Sequence, residues 1–124
     1  MNHTERELHI ACKDWFSYQY PEYALLLHHS PNGERRDKKT GALLKAMGVR
    51  AGFPDLILLL HNKSHPFLCI EFKTEKTENT KKGYQSKEQK EWQHAVEEYA
   101  FARYAVVRSK EAFIELITDY LNNR

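Results

Sequence analysis

The stretch that decides the fold is Gly52-Phe53-Pro54-Asp55-Leu56-Ile57-Leu58-Leu59-Leu60, then His61-Asn62-Lys63-Ser64-His65-Pro66, then Phe67-Leu68-Cys69-Ile70-Glu71-Phe72-Lys73-Thr74. Two short apolar runs flank a polar, turn-forming link, so residues 55–60 and 67–74 read as the strands of a hairpin. A turn centred near Lys63 pairs positions whose numbers sum to about 126, which sets Asp55 opposite Glu71. Directly paired residues have Cβ atoms about 4.5–5.5 Å apart. Lys73 lies two positions beyond Glu71 and shares its face, whereas Ile70 and Phe72 point to the opposite, core-facing side. Two carboxylates brought this close repel one another unless a cation sits between them. Oxygen donors completed by water suit Mg²⁺ or Mn²⁺ rather than zinc, and the backbone carbonyl of Phe72 is a further candidate ligand. Lys73 would then stand where it can orient a water or stabilise developing phosphate charge. By spacing alone, a surface ion pair in which Lys73 neutralises the two acids is the commoner outcome, so the surroundings must decide.

Working outward, residues 4–18 have a helical period in Leu8, Ala11, Cys12, Trp15 and Phe16, with Thr4 and Glu7 spaced as a capping box. Residues 23–29 read as a strand and 30–33 as a turn. Residues 37–47 read as a short helix carrying Leu43, Leu44 and Met47, stopped by Gly48. After the hairpin comes a lysine-rich loop over 75–84. Ser86 and Gln89 then open a helix that runs to about residue 101 with Trp92, Ala95, Val96 and Tyr99 on one face. Residues 104–107 form a short strand, and Ser109 caps a last helix carrying Phe113, Leu116, Ile117, Tyr120 and Leu121. The order α-β-α-β-β-α-β-α implies an α/β architecture, a mixed sheet flanked by helices.

At 124 residues the chain has the size of one domain, 1–124. With 41% hydrophobic and 29% charged residues it can build a core and does not read as disordered. Two separated cysteines, Cys12 and Cys69, argue against a disulfide framework or a cysteine zinc site. No apolar run approaches the roughly 18–20 residues of a membrane span, and the first residues lack an apolar leader, so a cytoplasmic protein is expected. The net charge is only +2, but the cations are clustered: Arg35, Arg36, Lys38, Lys39, Lys45 and Arg50 in one stretch, and Lys73, Lys76, Lys81, Lys82, Lys87 and Lys90 in another. Such clusters let a polyanion meet one side of the molecule.

Pro54-Asp55, a hairpin-length gap and Glu71-Phe72-Lys73 match the PD-(D/E)XK nuclease pattern. More narrowly, the chain resembles the virus-type replication–repair nuclease (VRR-nuc) family. The resemblance rests on His29-Ser30-Pro31-Asn32-Gly33, Gly48-Val49-Arg50-Ala51-Gly52-Phe53-Pro54-Asp55-Leu56, Ile70-Glu71-Phe72-Lys73, Ser86-Lys87-Glu88-Gln89-Lys90-Glu91-Trp92 and Tyr104-Ala105-Val106-Val107-Arg108-Ser109. It implies a restriction-endonuclease-like fold and a metal-dependent phosphodiesterase with Asp55, Glu71 and Lys73 as the active triad. It further implies an acidic residue from the first helix, mapped to Glu7, and a glutamine after the triad, mapped to Gln89. Both also fit plain helix caps. His29 and Asn32 are candidate substrate contacts, and Arg35, Arg36, Lys38, Lys39, Arg50, Lys81 and Lys82 are candidate phosphate contacts.

The expected activity is thus DNA cleavage with Mg²⁺ or Mn²⁺. A catalytically inactive nucleic-acid-binding module and an exonuclease-like end-processing enzyme are the alternatives. The chain looks like a stand-alone, phage-type member, which would place it in the host cytoplasm. Stand-alone members are associated with four-way junctions as homodimers. Trp15, Phe16, Tyr18, Tyr20 and Tyr23, with the broad apolar face of the last helix, suggest more apolar surface than a small core can bury, and hence a patch for self-association.

Overall fold

The computed structural model describes residues 3–31 and 37–124. The elements are α1 (His3–Gln19), β1 (Leu27–His28), α2 (Lys38–Ala46), β2 (Leu56–Leu58), β3 (Leu68–Phe72), α3 (Lys87–Ala100), β4 (Arg103–Val107) and α4 (Lys110–Asn122), in the order expected from the sequence. A 3-10 turn at Ala24–Leu26 occupies most of the segment read as the first strand, leaving only two residues of ladder. Helix α1 already includes His3, so Thr4 lies inside the first turn rather than at a cap. The other caps form where the sequence placed them. Ser86 and Gln89 make the reciprocal box on α3, and the Ser109 hydroxyl accepts from the Ala112 N–H at 3.1 Å.

The sheet runs β1-β2-β3-β4. β1 with β2 and β2 with β3 are antiparallel, whereas β3 with β4 is parallel, the crossover being made through α3. The hairpin pairs Leu56 with Ile70, Ile57 with Cys69 and Leu58 with Leu68, every pair summing to 126. Continued one step, this register sets Asp55 opposite Glu71, and a second step sets Pro54 opposite Phe72.

β3 is buried along its whole length because helices cover both of its faces. On one face Leu68, Ile70 and Phe72 join Cys12 and Phe16 of α1 and Phe113, Leu116, Ile117 and Tyr120 of α4. On the other, Cys69 packs with Val96 of α3 and with Ala102 and Tyr104. The aromatic groups around α1 are mostly absorbed here. Phe16 is fully buried, and Trp15, Tyr20 and Tyr23 pack against the first core, so only Tyr18 stands exposed. The expected apolar surplus is on α2 instead, where Leu43 and Met47, followed by Val49, lie open. No helix among the described residues is long and apolar enough to cross a membrane.

The approach to β2 is fixed by α3. The Trp92 indole N–H donates to the Ala51 carbonyl at 2.9 Å, and Phe53 meets the Trp92 ring edge-on at 5.0 Å. Gly52 lies against the first turn of α3 with φ +84°, and a Cβ there would fall 2.7 Å from the Glu88 backbone. Gly48 has φ +108° but nothing within 4 Å of its Cβ position. Gly52→Ala is therefore expected to cost about 2–3 kcal/mol, combining strain with a forced displacement, against about 1 kcal/mol for Gly48→Ala. Urea denaturation of the two variants measures the difference, and equal losses would remove the backbone clash as a cause.

Candidate active site

Asp55 enters the sheet one residue before β2, half-buried, and its carboxylate bridges to β3. The Phe72 N–H donates to Asp55 Oδ2 at 2.7 Å. Pro54, opposite Phe72, has no N–H to give the ladder, so the Phe72 carbonyl gains no donor from that position, while the Phe72 amide is taken up by the Asp55 side chain. The Asp55 carbonyl accepts from His29 Nδ1–H at 2.6 Å, which ties the residue after β1 to the same spot. Burial raises the Asp55 carboxyl above its ordinary range, the Phe72 N–H works against this, the charges of Glu71 and Glu5 raise it further, and Lys73 lowers it.

Glu71 lies on the face of β3 opposite the first core and is completely buried, with 0% exposure. This corrects the picture of a surface ion pair, because the carboxylate is covered by the Tyr104 side chain from the neighbouring strand β4 and by Gln85 of the chain leading into α3. The Tyr104 hydroxyl donates to Glu71 Oε1 at 2.5 Å, and Gln85 Nε2 donates to the same oxygen at 3.4 Å. Gln85 is held in turn by Gln93 Oε1 at 2.9 Å. Glu71 Oε2 is buried with no hydrogen-bond partner among the described residues. An unpaired buried carboxylate oxygen is expensive, and a cation is the group that would satisfy it. Burial first, and then Glu71, push the Tyr104 phenol far above its ordinary pKa, so it remains a donor.

Lys73 continues the strand, its N–H donating to the Val107 carbonyl at 3.1 Å, and its side chain is half-buried on the Glu71 face. Among the described residues no three His, Cys, Asp or Glu side chains group closely enough to hold a metal by themselves. What is offered is a pair of carboxylates and a main-chain carbonyl. That set fits Mg²⁺, which commonly binds through one or two carboxylates and keeps several waters.

Of the two acids near the start of the first helix, Glu5 rather than Glu7 turns inward toward Asp55. Glu5 is 8% exposed, and its charge is felt by Asp55, while Glu7 is on the exposed side of α1. The spacing carried this signal, because Glu5, His9, Cys12 and Phe16 form the buried stripe of the helix. The His9 ring stands 4.7 Å from His29 and 5.1 Å from Phe72, and burial, with His29 and Lys13 adding, lowers its pKa to about 4.

Gln89 takes the capping position that its spacing also allowed. Its side-chain oxygen accepts the Ser86 N–H at 2.8 Å in the capping box, and the glutamine that reaches Glu71 is Gln85. Lys38, Lys39, Arg50, Lys81 and Lys82 are all exposed but sit on separate elements. Lys38 and Lys39 open α2, and Arg50 borders an open groove of about 800 Å³ between α2 and α3. Lys81 and Lys82 belong to the loop after β3. The neck of that loop is closed by the Gly83 N–H to the Thr74 carbonyl at 3.0 Å and by Arg108 Nη1, which donates to the Thr74 and Gly83 carbonyls at 2.9 and 2.7 Å. Asn32, Arg35 and Arg36 lie outside the described residues. Tyr104, Gln85 and Glu5 were missed from the sequence, the first two because their partner is set by the parallel pairing and by a loop return.

No curated protein sequence matches the chain. A solved structure described as a VRR_NUC domain protein superposes with a TM-score of 0.77 at 27% identity, covering 99% of this chain and 92% of that one. Its likeness extends to the mixed sheet flanked by helices that carries Asp55 and Glu71. Residues 4–111, which hold all four strands, match the VRR-NUC domain, and the chain belongs to that nuclease family.

Proposed function

We propose that the protein is a Mg²⁺- or Mn²⁺-dependent DNA endonuclease that acts on branched DNA, four-way junctions in particular, as a homodimer. The observation that carries the reading is the unpartnered Oε2 of fully buried Glu71, set beside Asp55 at the point where Lys73 leaves β3. Asp55 and Glu71, with the Phe72 carbonyl, would hold the cation. The cation supplies Lewis-acid polarisation of the phosphate and a water of lowered pKa.

Tyr104 and Gln85 fix the Glu71 carboxylate through Oε1, which leaves Oε2 for the cation. The Phe72 N–H holds Asp55 in register with it. Lys73 positions the attacking water and offsets charge on the phosphate. Glu5 adds negative potential from α1, in the role first assigned to Glu7. Arg35, Arg36, Lys38, Lys39, Arg50, Lys81 and Lys82 are assigned to phosphate contacts, and His29 and Asn32 to substrate contacts. Self-association is supported by the open apolar groups Leu43, Met47 and Val49 beside α2.

Labelled duplex, flap, nicked and four-way-junction DNA, incubated with Mn²⁺ or with EDTA, test the proposal. Cleavage is expected with Mn²⁺ only, as paired nicks at symmetric positions on the junction, by a species of twice the chain mass in light scattering. Binding without cleavage in Mn²⁺ would make the chain a DNA-binding module. Degradation from free ends by a monomer would make it an exonuclease.

A further inference from the structure

Among the described residues four aromatic rings are exposed by 70% or more: Tyr18, Tyr84, Tyr99 and Phe101. Tyr18 lies near the end of α1, and Tyr99 and Phe101 at the C-terminal end of α3. Tyr84, 72% exposed, is different because it stands between Gly83, which borders Glu5, and Gln85, which contacts Glu71. A methyl group on Gly83 would lie 3.3 Å from Glu5 Oε1, and Gln85 Nε2 lies 3.4 Å from Glu71 Oε1. Successive Cα atoms are about 3.8 Å apart, so the root of the Tyr84 side chain is within one residue of both contacts. The segment is also held. Its start is tied down by the Gly83–Thr74 and Arg108 hydrogen bonds, and its end runs into the capped start of α3. Lys82 completes the arrangement, its Nζ standing 5.8 Å from the centre of the Tyr84 ring.

A rigidly rooted, solvent-facing ring with a cation beside it is the unit from which single-stranded nucleic-acid sites are built: the ring stacks on a base and the cation meets its phosphate. In a continuous duplex every base is already stacked on its neighbours, and a side-chain ring has no face to join. The ring gains a partner only where a base is unpaired or at an end.

We propose that Tyr84 and Lys82 form a stacking site for one unpaired nucleotide next to the phosphate presented to Asp55 and Glu71. The site would favour DNA with a splayed arm, flap or open junction over continuous duplex. This rests on the nuclease reading above and adds to it the feature of the substrate that the enzyme recognises.

The test uses splayed-arm DNA carrying 2-aminopurine as the first unpaired base, and continuous duplex of the same length, with Ca²⁺ for binding and Mn²⁺ for cleavage. Wild-type protein is expected to change the 2-aminopurine fluorescence on binding and to prefer the splayed arm. Tyr84→Ala is expected to lose the fluorescence change and to lower the splayed-over-duplex affinity ratio about tenfold. Tyr84→Phe is expected to keep both, since it retains the ring without the hydroxyl.

Tyr84→Ala with an unaltered signal and ratio would overturn the stacking site and leave the nuclease reading standing, provided that wild type still cleaves with Mn²⁺. Loss in Tyr84→Phe equal to that in Tyr84→Ala would also overturn it, by making the hydroxyl the contact. Wild-type protein that neither binds nor cuts any of these DNAs would remove both.

Discussion

Glu71→Gln is expected to lower DNA cleavage by about 10³-fold or more, since the cation contributes several kcal/mol of transition-state stabilisation and each 1.36 kcal/mol is tenfold in rate. The same change is expected to raise the metal-free melting temperature by about 4 °C, or about 1 kcal/mol for a chain of this size. Both effects come from one arrangement. Glutamine keeps an oxygen for the Tyr104 hydroxyl, removes a buried carboxylate whose second oxygen has no partner among the described residues, and relieves the repulsion that helps to raise the Asp55 carboxyl. Differential scanning calorimetry with and without Mn²⁺ reads the stability part. Wild type should be stabilised by the ion and Glu71→Gln should not. A variant that cleaves at near wild-type rates, or is stabilised by Mn²⁺ as wild type is, would remove Glu71 from the metal site.

Acidification from pH 6.5 to 4 is expected to destabilise the protein through His9 by about 3 kcal/mol. The group has a pKa of about 4 when folded, against 6.5 as a model value. The unfolded chain therefore binds a proton over this interval that the folded chain refuses. The stabilising contribution is complete above pH 6.5 and is lost as pH falls through about 4. Burial is the main cause, and the charges of His29 and Lys13 add to it. Asp55 acts with the opposite sign: its raised carboxyl favours the folded state at low pH, and that contribution fades as pH rises through its folded pKa. His9→Phe preserves a ring against Phe72 and removes the titration. Over this pH range wild type should lose about 10–15 °C more in melting temperature than the variant. Parallel pH profiles would show that His9 is not the acid-sensitive group.

The hairpin was legible because its register depends on local features, a polar link between two apolar runs, and the same arithmetic that pairs Leu56 with Ile70 places Asp55 against Glu71. The caps on α3 and α4 were legible for the same reason, since a cap involves residues three apart. The depth of Glu71 was not. It depends on β4 and α3 covering the second face of β3, and on Tyr104 arriving through a crossover whose register the sequence does not state. The shortness of β1 was hidden because Ala24, Leu25, Leu26 and Leu27 suit a strand and a 3-10 turn equally well by composition. Glu7 came from the family resemblance alone, whereas the buried stripe of α1 turns Glu5 inward.

The closed neck at Thr74 and Gly83 separates two parts of the molecule that are under different physical constraints. Catalytic geometry ends at Thr74, whose carbonyl is held by the Gly83 N–H and by Arg108 reaching over from the end of β4. The Thr74 hydroxyl adds a bond to the Lys81 carbonyl at 2.7 Å, so the residues from Glu75 to Thr80 lie outside that clasp. Lengthening such a loop raises its closure cost only logarithmically, about 0.6 kcal/mol per doubling, and leaves the clasp itself unstrained. The loop is thus an exchangeable cassette. New lengths and charge patterns can be tried there, altering which nucleic acids are engaged, while Asp55, Glu71 and Lys73 stay where the sheet puts them.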